Sequence, residues 1–140
     1  MSFEIETFLC KFTRNGQVSL TDIQMIEQAV NCPLPEEYRA VMRASNGGEG
    51  FMGKQYLVLW KAEDILRRNK ECEVEEYAPG LLLFGSNGAG EGFAFDLRDK
   101  KMPIVVVPFI GMSLKDTITL SQTFFGFLER LFKSDGNLFS

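Results

Sequence analysis

The sequence contains no histidine. Histidine is the usual general base near neutral pH and the commonest metal ligand, so its absence removes every Ser-His and Cys-His nucleophile arrangement. Cysteine is scarce: Cys10, Cys32 and Cys72 lie far apart, form no CxxC pair and are odd in number. They read as buried thiols rather than a disulfide framework. Zinc would have to draw thiolate and carboxylate ligands from scattered positions, so no metal and no cofactor is expected. No run approaches the roughly 20 apolar residues of a membrane helix. The opening "MSFEIETFLCKF" has neither the basic leader nor the small-residue cleavage site of a secretory signal, and a cytoplasmic location off the membrane is expected. Positive charge is also in the minority, 15 Lys and Arg against 19 Asp and Glu, for a net charge of -4. An acidic chain without a basic stripe is ill suited to a phosphate backbone, which argues against nucleic acid. It suits a basic protein partner, steered in at long range.

What is present is enough for a sizeable core. With 140 residues and 45% apolar composition, the chain is expected to form a single domain spanning 1–140. The front third reads as helical. Ile5, Phe8, Leu9 and Phe12 fall at helical spacing within residues 3–12, and Asn15-Gly16 ends that segment. Ser19 with Asp22 resembles a capping box before the apolar stripe Leu20, Ile23, Ile26 and Val30. Pro35 suits the first position of a further helix, with Glu36 and Glu37 at its positive end and Tyr38, Val41 and Met42 on its buried face. The middle changes period. Strands are predicted at 55–60, near 81–85, at 92–97 and at 103–109, with Pro108 marking an edge or a strand end. A short helix is predicted at 62–70. The last segment reads as a helix capped by Ser121 that buries Phe124, Phe125, Leu128, Leu131 and Phe132, with Gly126 either permitting close packing or weakening the helix. Helices, a mostly antiparallel sheet of about four or more strands and a closing C-terminal helix make an α+β fold.

One phrase occurs nearly twice: "SNGGEGF" at 45–51 and "SNGAGEGF" at 86–93. Neither has the lysine and hydroxyl of a Walker loop, and the second stands between two strands rather than before a helix. The flanks "YRAVMRA" and "GLLLF" do not match, which argues against duplication. Both phrases read as turns in which Gly and Asn supply positive φ, the first ending a helix and the second joining strands.

The succession "LPEEYRAVMRASNGGEGF", strand, short helix, "LLLFGSNGAGEGFAFDL", "PIVVVPF" and "TFFGFLERL" resembles the SUKH superfamily, the Smi/Knr-like domain, over roughly residues 20–132. The stretch "FIGMSLKDTITLS" departs from it, since many relatives carry a tryptophan and acidic residues there. The resemblance implies a sheet flanked by helices and a protein without catalytic activity. It implies an immunity protein that neutralises a cognate, nuclease- or deaminase-like toxin by direct association; the acidic charge suits a basic toxin, and a monomer or weak homodimer is expected. The alternative implied by a eukaryotic branch is a regulatory or scaffold domain on an endogenous protein complex.

Candidate partner-binding residues follow from charge and placement. Glu49 and Glu91 hold equivalent positions in the two phrases and would face one rim if both loops lie at one end of the sheet; otherwise they are solvated turn carboxylates. Asp96 matches the strand-terminal aspartate of the family, to contact a partner or to hold the following turn. Glu71, Glu73, Glu75 and Glu76 in "KECEVEEY" form either a solvated face or an interface for a cationic partner. Among the aromatics that anchor interfaces, Phe51 follows a glycine loop and is expected to be exposed, whereas Trp60 ends an apolar strand and is expected in the core.

Overall fold

The computed structural model describes residues 5–134. A short helix α1 (Ile5–Leu9) buries Leu9 and leads through Phe12 into a two-residue strand, β1 (Thr13–Arg14). Phe3 and Glu4, part of the first predicted helix, lie outside the described residues. Ser19 is extended and its hydroxyl accepts from the Thr21 N–H at 3.2 Å, which starts α2 (Leu20–Val30) as its sequence predicts. Asn31 then takes left-handed backbone at φ 59° and ends that helix. Pro35 is the residue before α3 (Glu36–Ser45) rather than its first, because its ψ of 138° is extended.

Seven antiparallel strands form one sheet in sequence order. After β1 come β2 (Gly48–Met52) and β3 (Gln55–Leu59), then helices α4 (Ala62–Glu71) and α5 (Val74–Tyr77). The chain returns through β4 (Leu81–Ser86), β5 (Glu91–Asp96), β6 (Ile104–Pro108), a 3-10 turn at Leu114–Asp116 and β7 (Ile118–Ser121), and closes with α6 (Phe124–Lys133). The α+β architecture is thus as the sequence indicates, with three strands, the short helix α5 and the 3-10 turn more than the pattern reveals. Pro108 ends β6, where the missing N–H costs no ladder bond beyond it.

An aromatic cluster joins helices to sheet. Tyr38 of α3 packs on Phe95 of β5 and Phe124 of α6, each with ring centroids 5.2 Å away and edge-on. Phe84 of β4 and Phe127 of α6 extend the cluster at 5.7 Å. Burial pushes the Tyr38 phenol well above its ordinary pKa. Glu37, in the first turn of α3, accepts the Phe125 N–H at 2.8 Å and so satisfies a donor at the start of α6.

Three expectations are corrected. The residue capping α6 is Thr123, whose hydroxyl accepts from Gly126 at 3.0 Å, while Ser121 is the last residue of β7. The buried face of α6 is Phe124, Phe127, Leu128 and Leu131 at i, i+3, i+4 and i+7. Phe125 and Phe132 fall beside that stripe, so Phe125 is half-buried and Phe132 is 50% exposed, its ring edge-on to Phe8. Gly126 is there for space, since a Cβ would lie 2.5 Å from the Ser121 hydroxyl. Finally, all three cysteines are free, but Cys10 is exposed beyond α1, and Cys32 and Cys72 are only half-buried.

Candidate functional site

The two glycine phrases begin alike and then diverge. In both, the serine hydroxyl accepts the N–H two residues on: Ser45 from Gly47 at 3.1 Å and Ser86 from Gly88 at 3.2 Å. Asn46 then turns left-handed at φ 49° and closes α3. Its buried amide oxygen accepts the Ala62 N–H at 3.0 Å, which ties the phrase to the start of α4. Beyond Asn46 the chain enters β2 instead of continuing as a turn, a correction to the sequence reading. The alternation of glycine with polar residues hid this strand. Gly48 and Gly50 face inward, where a Cβ would meet the Thr13 and Lys11 carbonyl oxygens at 2.0 and 2.7 Å. Only glycine lets β2 lie so close to the preceding segment.

Glu49 and Phe51 therefore point outward from β2. Phe51 is 57% exposed, as expected, and lies opposite Tyr56 with ring centroids 4.9 Å apart. The Tyr56 hydroxyl donates to the Glu49 carboxylate, which raises the phenol pKa above its ordinary value. The second phrase does make a turn between β4 and β5. Its Gly88 sits over the Tyr56 ring, 3.4 Å from where a Cβ would be. Glu91 is turned onto its own loop, accepting from the Asn87 amide at 2.5 Å. In the register Glu49–Val58–Ser86–Gly92, Glu91 lies one position off the row of Glu49. Three strand spacings, about 14 Å, separate them. The two carboxylates sit near the same end of β4 but serve different partners.

The other predicted residues gather at the opposite end of the β4–β5 hairpin. There β3 parts from β4 after pairing Leu59 with Gly85. Asn69 of α4 takes over the vacated ladder, donating to the Leu83 carbonyl at 2.9 Å and accepting the Leu83 N–H at 2.8 Å. This side chain in place of a strand holds α4 along β4 and opens an elongated groove of about 580 Å³. Val30, Leu66, Val74, Leu81, Leu82 and Leu97 supply its apolar surface. Glu73, Glu75 and Glu76 stand on its rim together with Lys70.

None of these three glutamates forms an ion pair among the described residues. Their field is visible on a neighbour: the charges of Glu76 and then Glu73 raise the phenol pKa of the exposed Tyr77. Glu73 also holds a left-handed backbone, φ 55°, at the start of α5, a conformation that costs a non-glycine residue about 1–3 kcal/mol. Glu71, the fourth glutamate of the run, points away to a bidentate contact with Arg67 at 3.1 Å.

Asp96 lies beside the groove, one residue before Leu97. Its carboxylate accepts from the Arg98 guanidinium through two contacts of 2.9 Å and from the Arg98 N–H at 3.1 Å. Those hydrogen bonds hold its pKa below the ordinary value of 3.8, so Asp96 stabilises the turn into β6. Among the described residues no group of three or more acidic or cysteine side chains could hold a metal, and no helix is long and apolar enough to cross a membrane.

Sequence reasoning named the glutamates but not the groove. Its apolar surface is gathered from five separate segments, Val30, Leu66, Val74, Leu81 with Leu82, and Leu97, and only Val74 and Tyr77, three apart between acids, hinted at α5.

Fold and surface together define an α+β module with an acidic, apolar-lined groove beside its central hairpin. The model of the SMI1 / KNR4 family (SUKH-1) matches residues 17–130, and the chain belongs to that family. Comparison with curated proteins finds no match. The family is generally non-catalytic, immunity or regulatory in role, and membership is consistent with binding of a protein partner.

Proposed function

We propose that this chain is an immunity-type binding protein that neutralises a cognate toxin by direct, stoichiometric association. The observation that carries this reading is the groove, whose apolar surface can bury side chains of a partner while Glu73, Glu75 and Glu76, lacking internal counter-ions, meet its lysines or arginines. Such charges raise the association rate and select the partner more than they add affinity. Asp96 borders the same surface. The Glu49, Phe51 and Glu91 face, at the other end of β4, is a second contact region for a large partner. Its exposed Phe51, packed on the half-buried Tyr56, favours the second reading, a regulatory or scaffold domain on an endogenous complex.

Co-expression with the toxin domain encoded beside this gene tests the proposal. A stable complex and protected cells are expected. Changing Glu73, Glu75 and Glu76 together to glutamine is expected to slow association by about tenfold or more at low salt, with thermal stability retained. Absence of both complex and protection overturns the reading. Recovery of a housekeeping assembly in a pulldown, with no toxin gene nearby, favours the second.

A further inference from the structure

A separate pocket of about 250 Å³ lies at the end of α4 and the ends of β3, β4 and β6, lined by Trp60, Arg68, Glu71, Cys72, Ser86 and Phe109. Its centre is Arg68, whose guanidinium lies over the Trp60 ring with Cζ 5.1 Å from the centroid. Most other arginines described, Arg14, Arg39, Arg43, Arg67 and Arg98, pair with a carboxylate, and Arg130 donates to the Leu120 carbonyl. Arg68 makes neither kind of contact; its Nε, like that of the carboxylate-paired Arg39, is buried without an acceptor, and among the described residues Arg68 has no hydrogen-bonding partner to offset it. A buried guanidinium donor left unsatisfied is costly, and native structures rarely keep one without a reason.

The surroundings define the missing acceptor. Glu71 contributes to the wall, but both its oxygens are held by Arg67 at 3.1 Å. Arg68 is therefore the uncompensated charge. Ser86 accepts the Gly88 N–H, and its own proton has no acceptor among the described residues, so it is a second donor. Trp60, only 7% exposed, and Phe109 give two aromatic walls. We propose that this pocket binds a carboxylate, gripped by the Arg68 fork, with its apolar body between Trp60 and Phe109.

A planar monoanion matches one guanidinium bidentately. A phosphate dianion would bring a second charge toward Glu71 with no further cation to meet it. The volume falls below the roughly 300–1,000 Å³ of drug-sized sites, which limits the occupant to a small organic acid or one acidic side chain of a bound protein.

Trp60 is the sole tryptophan of the chain and lines this pocket as well as the core, so its emission reports on pocket occupancy while the core is unchanged. Titration at constant ionic strength would use benzoate, acetyl-glutamate amide with only its side-chain carboxylate free, neutral benzamide and inorganic phosphate. A saturable change is expected with a carboxylate and none with benzamide, weakened at least tenfold in Arg68→Gln whose circular dichroism and melting match the parent. If that variant folds poorly, Arg68→Lys, which keeps the charge and loses the fork, is expected to weaken binding likewise. Tighter binding of benzoate identifies a free acid as occupant; tighter binding of acetyl-glutamate amide identifies a partner's side chain. No saturable response to either carboxylate, equal responses in the Arg68 variants, or tighter binding of phosphate overturns the assignment.

Discussion

Residues 45–51 and 86–93 spell almost the same words and build different objects. Each begins with the same serine-to-amide hydrogen bond, and each then spends its asparagine differently. Asn46 reverses the backbone and fastens the start of α4, deep in the molecule; Asn87 folds its side chain over its own turn, accepting from Ala89 at 2.8 Å and Glu91 at 3.2 Å. The glycines nearest the asparagine are tightly confined in the first phrase and less so in the second, although Gly92, back in β5, would again bring a Cβ within 2.9 Å of Leu83 and Phe109. Gly47 and Gly48 are wedged against the carbonyls of Leu59 and Thr13, whereas a Cβ at Gly90 would meet nothing within 4 Å. Local chemistry thus sets the first turn, and the surroundings decide what a shared phrase becomes.

The largest expected effect separates the glycines. Gly48→Ala, at φ 132° and against the Thr13 carbonyl, should cost more than about 4 kcal/mol or prevent folding. Gly90→Ala, at φ 107° in open space, should cost only about 1–3 kcal/mol of backbone strain. Equal losses in urea unfolding would break the contrast. Next come the asparagines. Asn46→Ala leaves the buried Ala62 N–H without an acceptor and should cost about 2–3 kcal/mol, against about 1 kcal/mol for Asn87→Ala. The serines differ less: Ser45→Ala removes both the Gly47 contact and the bond its hydroxyl donates to the Val41 carbonyl at 2.8 Å, and should cost about 2 kcal/mol, against about 1 kcal/mol for Ser86→Ala, which removes only the Gly88 contact. Equal losses, by the same unfolding measurement, would mean that the Val41 contact adds nothing to the first phrase.

The parts of the fold legible in the sequence are those where a residue's own preference agrees with its setting. Ser19, Asn46 and the stripe of Tyr38, Val41 and Met42 announced their helices, the apolar run at 55–60 announced β3 and the β-branched run at 104–107 announced β6. β2 stayed hidden because its inward residues are glycines, chosen for closeness and silent about strand formation. β7 stayed hidden because it is short and mostly exposed, and α5 because it is a single turn, half glutamate, with Val74 its one buried residue. For the candidate site, charge was readable and grouping was not. Glu49 and Glu73 look alike in sequence, yet Asn69 and the early departure of β3 set them at opposite ends of one hairpin. Arg68 could not be distinguished from Arg67 by any local pattern; only the tertiary structure shows that one has a carboxylate and the other does not.

Glu37 reaches 88 positions along the chain to the first turn of α6. The centre of the core, where Tyr38 meets Phe124, therefore assembles only after nearly all of the described chain has been made. The meander of β4, β5 and β6 has short connections and can organise early, while α3 must wait with an aromatic face uncovered. Folding is expected to finish at this seam. Until it does, a nascent chain is most exposed to aggregation there.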